Sequence, residues 1–339
     1  MKTQILPTHT PTLFRRAVDC AVRLLSAGET VALPTETVYG LAANALAADA
    51  VAKIFKVKRR PANNPIIVHV ASVAMAKRCV TVWPEQAQRL AKAFWPGPLT
   101  LVLPRAKIIP DIVTAGGPTV GVRWPAHRLI QAVIRKCGFP LAAPSANPAG
   151  RVSPTTAQHV KEFLGRKIPL IIDGGPARVG IESTVLDLTT DPPTILRPGM
   201  IHAESLEAVI GRVRLAETSA PASEARALRS PGLLSRHYAP RARLVILSWK
   251  TGQDLKPKIR RFKTALGACH VIAHTHVPRG LALGSVAVLP RNPTAFARAL
   301  YAELHRADAA GAKLIIVESP PEHPAWTAIT DRLRRAASA

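Results

Sequence analysis

The chain has 339 residues, with 46 lysines and arginines against 21 aspartates and glutamates, a formal net charge of +25. That length favours two domains, and 47% hydrophobic residues supply too much core material for a disordered chain. Proline or charge interrupts every apolar run before the ~18–20 residues of a membrane helix, and Met1-Lys2-Thr3-Gln4-Ile5-Leu6-Pro7 has no apolar signal core. The expected setting is therefore the cytoplasm, without a membrane partner.

In chain order, Thr10-Pro11 is a cap and first-turn pair. Phe14, Val18, Val22 and Leu25 then recur at helical spacing until Gly28 stops them. Strand-like runs follow at 30–33, 66–70, 99–103, 120–124, 141–143, 170–173 and 184–188, with helical patterns at 50–57, 84–94, 126–137, 155–164 and 205–210. Several strands succeed one another without a helix, which predicts an α/β domain on a mixed rather than strictly parallel sheet. Residues 216–231 turn small, polar and proline-punctuated and read as linker. Beyond it, strand patterns at 244–247, 270–273, 286–289 and 314–317 with helices at 294–306 and 327–335 predict a small βα domain with a largely parallel sheet. The expected organisation is a catalytic domain over 1–215, a linker or lid over 216–241 and a C-terminal domain over 242–339.

Cys20, Cys79, Cys137 and Cys269 lie far apart, without zinc spacing, and read as reduced core thiols. No metal-ligand cluster is expected. The positive charge points to anionic partners, polyphosphate or RNA among them. The dense basic clusters at 56–60 and 332–335 are by themselves ordinary solvated faces or helix ends.

The chemistry concentrates in loops of Thr, Ser, Asn, Gly and Pro joined to isolated cations. Pro34-Thr35-Glu36-Thr37-Val38-Tyr39-Gly40-Leu41 follows a strand directly and is either a polar turn or a ligand loop. Lys58 and Arg60, braced by prolines, could clamp phosphates or simply end a basic helix. His69 sits in an apolar strand and by itself reads as a satisfied core histidine. Arg123 is the one charge in Val120-Gly121-Val122-Arg123-Trp124 and needs an anionic partner, internal or ligand. The company it keeps favours the ligand. The segment from Pro144 to Thr155 offers hydroxyls, an amide and helix-terminal N–H groups to an anion. Walker A, Gly-x-Gly-x-x-Gly and Gly-x-Ser-x-Gly patterns are absent, as is any evident Ser/His/Asp or Cys/His arrangement. Many hydroxyls, several cations and no nucleophile suit a polyanionic nucleotide whose substrates react by positioning and electrostatics.

These loops, together with Trp95-Pro96-Gly97-Pro98-Leu99-Thr100, Asp173-Gly174-Gly175, Glu182-Ser183-Thr184 and Leu196-Arg197-Pro198-Gly199, resemble in order the motifs of the YrdC-domain family of threonylcarbamoyl-adenylate synthases. Ser230-Pro231-Gly232 and His237-Tyr238-Ala239-Pro240 resemble the linker of its long two-domain form, whose second domain is a small Rossmann-like module with a parallel sheet. The resemblance implies a nucleotidyltransferase that turns L-threonine, bicarbonate and ATP into threonylcarbamoyl-AMP, pyrophosphate and water, the first step of threonylcarbamoyladenosine modification of tRNA. It implies Mg²⁺ accompanying ATP, no organic cofactor, and a tRNA threonylcarbamoyl transferase complex that receives the product.

Carried over position by position, the resemblance gives Lys58, Arg60, Asn64, Thr119, Ser145, Asn147, Ser153 and Arg197 to ATP, with His237 and Tyr238 closing over it from the linker. It gives Thr35, His69, Arg123, Ala143 and Ser183 to L-threonine, with Lys58, Arg60 and Arg123 as the catalytic cations and Arg123 the partner of the substrate carboxylate. The rival reading is an RNA-binding or translation-associated module using the basic surface. At 4% aromatic residues and without an RNP-like motif, it leaves the ordered loops unexplained. Weak tRNA contact remains an expected partner interaction.

Overall fold

The computed structural model describes residues 2–216 and 237–337, so residues 217–236 of the expected linker lie outside the described residues. The chain divides into two compact units, Met1–Ala149 with Ser153–Leu234, and Gly150–Val152 with Ser235–Ala339.

In the first unit the chain runs β1 (Gln4–Pro7), α1 (Pro11–Ser26), β2 (Val31–Leu33), β3 (Gly40–Asn44), α2 (Ala48–Lys58), β4 (Val68–His69), α3 (Val73–Arg78) and α4 (Glu85–Phe94). It continues with β5 (Leu99–Pro104), α5 (Asp111–Thr114), β6 (Thr119–Arg123), α6 (Arg128–Cys137), β7 (Leu141–Ala142) and α7 (Ala157–Leu164). β8 (Leu170–Asp173), β9 (Thr184–Asp187), β10 (Thr194–Arg197), α8 (Ala203–Ile210) and β11 (Arg214–Leu215) complete it. The strands form one mixed sheet in the order β1-β8-β2-β3-β7-β4-β6-β5-β9-β10-β11. Helix α1 shows why the local sequence folds as it does. Thr10 Oγ1 accepts from the Leu13 N–H at 3.2 Å, Pro11 opens the first turn, and Ala17, Val18, Ala21 and Leu25 form its buried face. That stripe packs against α6, whose Leu129, Ile130, Val133 and Ile134 are buried in the same core.

Several elements of this unit differ from the sequence expectation, among them the short helices α3 and α5 and the two-residue strand β11, none of which was expected. β1 was not expected, because four residues carry little periodicity and its partner β8 lies more than 160 residues away. β3 replaces the end of an expected loop; Gly-Leu-Ala-Ala-Asn has no β-branched residue, and long-range pairing with β2 and β7 makes it a strand. Expected loop residues Leu196 and Arg197 end β10, antiparallel to β9. The expected strand at 66–70 shrinks to β4, two residues long.

The second unit contains β12 (Arg243–Leu247), α9 (Gly252–Arg260), β13 (Cys269–Ala273), β14 (Ser285–Val288), α10 (Pro293–Ala309), β15 (Leu314–Glu318) and α11 (Thr327–Ala337). Its sheet, β12-β15-β13-β14, is parallel at every pairing. α9 was not expected, since Pro257 sits inside it; the burial of Leu255 and Ile259 holds the helix together regardless.

Candidate active site

The hairpin loop between β2 and β3 is polar and yet buried throughout: Thr35 is 3%, Glu36 7% and Thr37 1% exposed. A loop can be buried only if its backbone groups find partners, and here they do. Thr35 Oγ1 accepts from the N–H groups of Thr37 and Val38, both at 3.2 Å, and donates to Val38 O at 2.6 Å. The Val179 N–H donates to Glu36 O, Gly180 N–H to Thr37 O and Ala146 N–H to Tyr39 O. The Tyr39 hydroxyl donates to Gly175 O at 2.7 Å, and burial pushes its pKa up. The loops singled out in the sequence thus converge by holding this one.

Arg123 ends β6, level with His69 across the β4–β6 pair. Its guanidinium donates from Nη2 to Glu36 Oε1 at 2.6 Å, from Nη1 to Thr37 Oγ1 at 3.0 Å and from Nε to Gly97 O at 3.2 Å. The sequence reading leaned towards a ligand as the partner of this lone cation. The structure supplies an internal carboxylate, Glu36, with both side chains buried. Glu36 Oε2 is also buried and has no hydrogen-bond partner among the described residues. His69 departs from the satisfied core histidine it resembles in isolation, because its buried Nδ1 has no partner among the described residues. Burial and the Arg123 charge together push its pKa down to about 3, so the imidazole is neutral at physiological pH.

Beside Arg123 lies a second set. Ser183, just ahead of β9, shares a hydroxyl hydrogen bond with Thr100 of β5 at 2.9 Å, and accepts from Arg197 Nη2 at 3.0 Å, while Arg197 Nε donates to Ser183 O at 3.1 Å. A Cβ on Gly199 would stand 2.3 Å from the Thr184 nitrogen, so only glycine lets this turn approach β9 so closely. Ser153 Oγ donates to Glu182 Oε1 at 2.6 Å.

Lys58, the last residue of α2, is 1% exposed. Its ammonium donates to the carbonyls of Ser145, at 2.5 Å, and Asn147. Burial first, and the nearby Arg60 second, hold its pKa well below the ordinary lysine value. Arg60 donates from Nη2 to Asn64 Oδ1 and Pro65 O, both at 2.6 Å, and from Nε to Asn64 O at 3.0 Å. The two cations are thereby held on backbone carbonyls and an amide. Ala143 follows β7 and is tied through its N–H to Ile67 O at 3.1 Å. Thr119 opens β6, about 13 Å of strand from Arg123, at the end where the antiparallel β7 runs out towards Ser145.

His237 and Tyr238 fall in the second unit. Tyr238 is 1% exposed, stacks on Tyr301 at 6.0 Å and lies under the Arg332 guanidinium at 4.9 Å. A serine, histidine and glutamate do meet in that unit, contrary to the sequence reading. Ser285 Oγ bonds His270 Nδ1, and His270 Nε2 bonds Glu303 Oε1 at 2.6 Å. The imidazole faces serine through the nitrogen that a nucleophile triad gives to its acid, and Arg306 also engages Glu303, so the chain reads as a structural link. No group of three His, Cys, Asp or Glu side chains suited to a metal occurs among the described residues.

Two family models account for nearly the whole chain. The one described as "Telomere recombination" (Sua5, YciO, YrdC) matches residues 23–199, and "Threonylcarbamoyl-AMP synthase, C-terminal domain" matches residues 201–338. The threonylcarbamoyl-AMP synthase of Pyrococcus abyssi is 41% identical over 322 residues, 94% of this chain and 93% of that protein. The chain belongs to the threonylcarbamoyl-AMP synthase family. Its members are enzymes of the nucleotidyltransferase type. Another relative, from Bacillus subtilis, is 46% identical over 245 residues, 72% of this chain and 69% of that protein. The crystal structure of P. abyssi Sua5 complexed with L-threonine superimposes with a TM-score of 0.88 at 37% identity, covering 99% of this chain and 98% of that one.

The sequence reading left Glu36, Thr37, Thr100 and Glu182 without roles, although the structure puts each in this hydrogen-bonded cluster. A signal for one existed: Glu36 and Arg123 are lone opposite charges in otherwise uncharged segments.

Proposed function

We propose that the protein condenses L-threonine, bicarbonate and ATP to threonylcarbamoyl-AMP, pyrophosphate and water in the cytoplasm. The observation that carries this reading is the buried cluster of Thr35, Arg123, Ser183 and Arg197, in a chain alignable almost end to end with a relative crystallised with L-threonine. Thr35, neutral His69, Arg123 and Ser183 receive the amino acid, with the Ala143 backbone at its border. A neutral imidazole suits a hydroxyl, since it accepts or donates without adding charge. Lys58, Arg60, Asn64, Ser145, Asn147 and Ser153 receive the triphosphate, with Thr119 and Arg197 flanking it. Mg²⁺ enters as part of the substrate, held by the phosphates.

The chemistry needs no protein nucleophile. A carbamate formed on the threonine nitrogen attacks the α-phosphate in line, and pyrophosphate leaves. Fixed cations already desolvated before the reaction stabilise the charge that develops, and held reactants have lost the freedom that a bimolecular encounter would cost. The product passes to a transferase that acts on tRNA, and the +25 charge supports weak contact with that RNA. The test is pyrophosphate release from ATP with and without L-threonine and bicarbonate. Release that requires both establishes the reaction, and release indifferent to threonine refutes it.

A further inference from the structure

Arg123 is neutralised before any substrate arrives. Its ion pair with Glu36 is made between two buried side chains, and Thr37 and Gly97 take further donors of the same guanidinium. A carboxylate ligand alone would therefore meet a cation whose charge is already balanced, and would leave Glu36 facing one negative charge too many. Glu36 Oε2 is buried and accepts from no donor among the described residues, an arrangement that is costly unless something else supplies the hydrogen bond. A buried positive and negative group side by side, each with unused capacity, complement a ligand that carries both charges on neighbouring atoms.

Resting on the function proposed above, we propose that the Arg123–Glu36 pair reads the zwitterion of a free α-amino acid. Arg123 takes the α-carboxylate, and Glu36 Oε2 accepts a hydrogen bond from the α-ammonium. Glu36 then has a second task set by the proton balance. The ammonium has no lone pair, so Glu36 Oε2, already hydrogen-bonded to it, first accepts one proton and later returns it to solvent. The freed amine nitrogen then forms a bond to the bicarbonate carbon, and the bicarbonate hydroxyl leaves as water with a second of the nitrogen's protons, so that a carbamate anion remains. The internal ion pair thus makes the site discriminate against the hydroxy acid and the simple carboxylic acid, which lack the ammonium.

The experiment compares binding of L-threonine with that of 2,3-dihydroxybutyrate of matching stereochemistry, in which a hydroxyl replaces the ammonium, by calorimetry in the presence of a non-hydrolysable ATP analogue. The full chain is expected to prefer threonine at least tenfold. In Glu36→Gln that preference falls at least tenfold, because threonine loses its acceptor charge while the hydroxy acid does not, and turnover at saturating threonine falls with it. Glu36→Asp restores part of both. A glutamate that merely braces Arg123 would weaken the two ligands equally, so an unchanged preference in Glu36→Gln overturns the inference. Should that variant not fold, the unaltered chain still decides: equal affinity for both ligands overturns the inference. If the unaltered chain neither binds threonine nor releases pyrophosphate in its presence, the functional reading itself fails and takes this inference with it. Threonine-dependent release without discrimination removes the role of Glu36 alone.

Discussion

Each unit of the molecule buries a carboxylate at a strand end, and the two are treated in opposite ways. Glu318 ends β15, next to the segment that leaves the neighbouring β13. Its oxygens accept from the backbone N–H groups of His274, Thr275 and His276 and from the His276 ring. Burial pushes its pKa up, but those backbone and ring hydrogen bonds outweigh it, and the net displacement is downward. This is the edge at which open α/β sheets take anions, and here the chain's own carboxylate fills it. Glu36 has one oxygen on Arg123 and leaves the other without a partner among the described residues. A buried carboxylate with every lone pair engaged is a structural plug. One left half-engaged beside a cation is set up for a ligand.

That contrast can be broken by mutation, beginning where the effect is largest. Arg123→Ala leaves Glu36 buried without its counter-charge, and losing one partner of a buried pair costs about 3–5 kcal/mol. Thermal unfolding is expected to register that loss, and threonine-dependent pyrophosphate release is expected to disappear. Retained turnover would remove Arg123 from the machinery. Glu318→Ala strips an acceptor from three backbone N–H groups, and charge-assisted bonds of this kind make the expected loss about 3 kcal/mol. Here turnover per folded molecule should hold, which a denaturant titration paired with an activity assay checks. Altered turnover would show that the plug is no mere plug.

Acid sharpens the comparison further. The His69 pKa is about 3 in the folded chain against an ordinary 6.5. The unfolded state therefore binds the extra proton first as pH falls, so the stability contribution is whole above pH 6.5 and drains away towards pH 3. A loss of a few kcal/mol over that window is expected, and His69→Gln should flatten it. An identical pH dependence in the variant would place the acid sensitivity elsewhere. Smallest is Gly199→Ala, whose Cβ would press on the Thr184 nitrogen at 2.3 Å and the Ser183 carbonyl carbon at 2.7 Å. Displacing that backbone costs about 1–3 kcal/mol, and because Ser183 moves, the KM for threonine should rise more than the KM for ATP. Equal changes in both would argue against Ser183 in the threonine site.

Much of this was legible in the sequence. Helices such as α1, α4 and α6 carry apolar residues at helical spacing, with Thr10 and Gly28 bracketing α1, so local chemistry suffices to find them. The ordered Thr, Ser, Asn and Gly loops and the cations Lys58, Arg60, Arg123 and Arg197 were equally visible, since such groups are rarely left buried without a reason. The mixed character of the first sheet and the parallel character of the second followed from how strands and helices alternate.

Partnership was decided by tertiary structure alone. The lone charges of Arg123 and Glu36 are visible in the sequence, but that they meet across 87 positions is not. Nor does anything near Lys58 show that its ammonium rests on carbonyls from Ser145 and Asn147. β1 and β3 exist because distant strands pair with them, and Ser285 meets His270 only through the β13–β14 register. The physical reason is the same in each case. Periodicity and capping are properties of a few consecutive residues, whereas the neutralisation of a buried charge depends on which other segment the fold brings within about 3 Å of it.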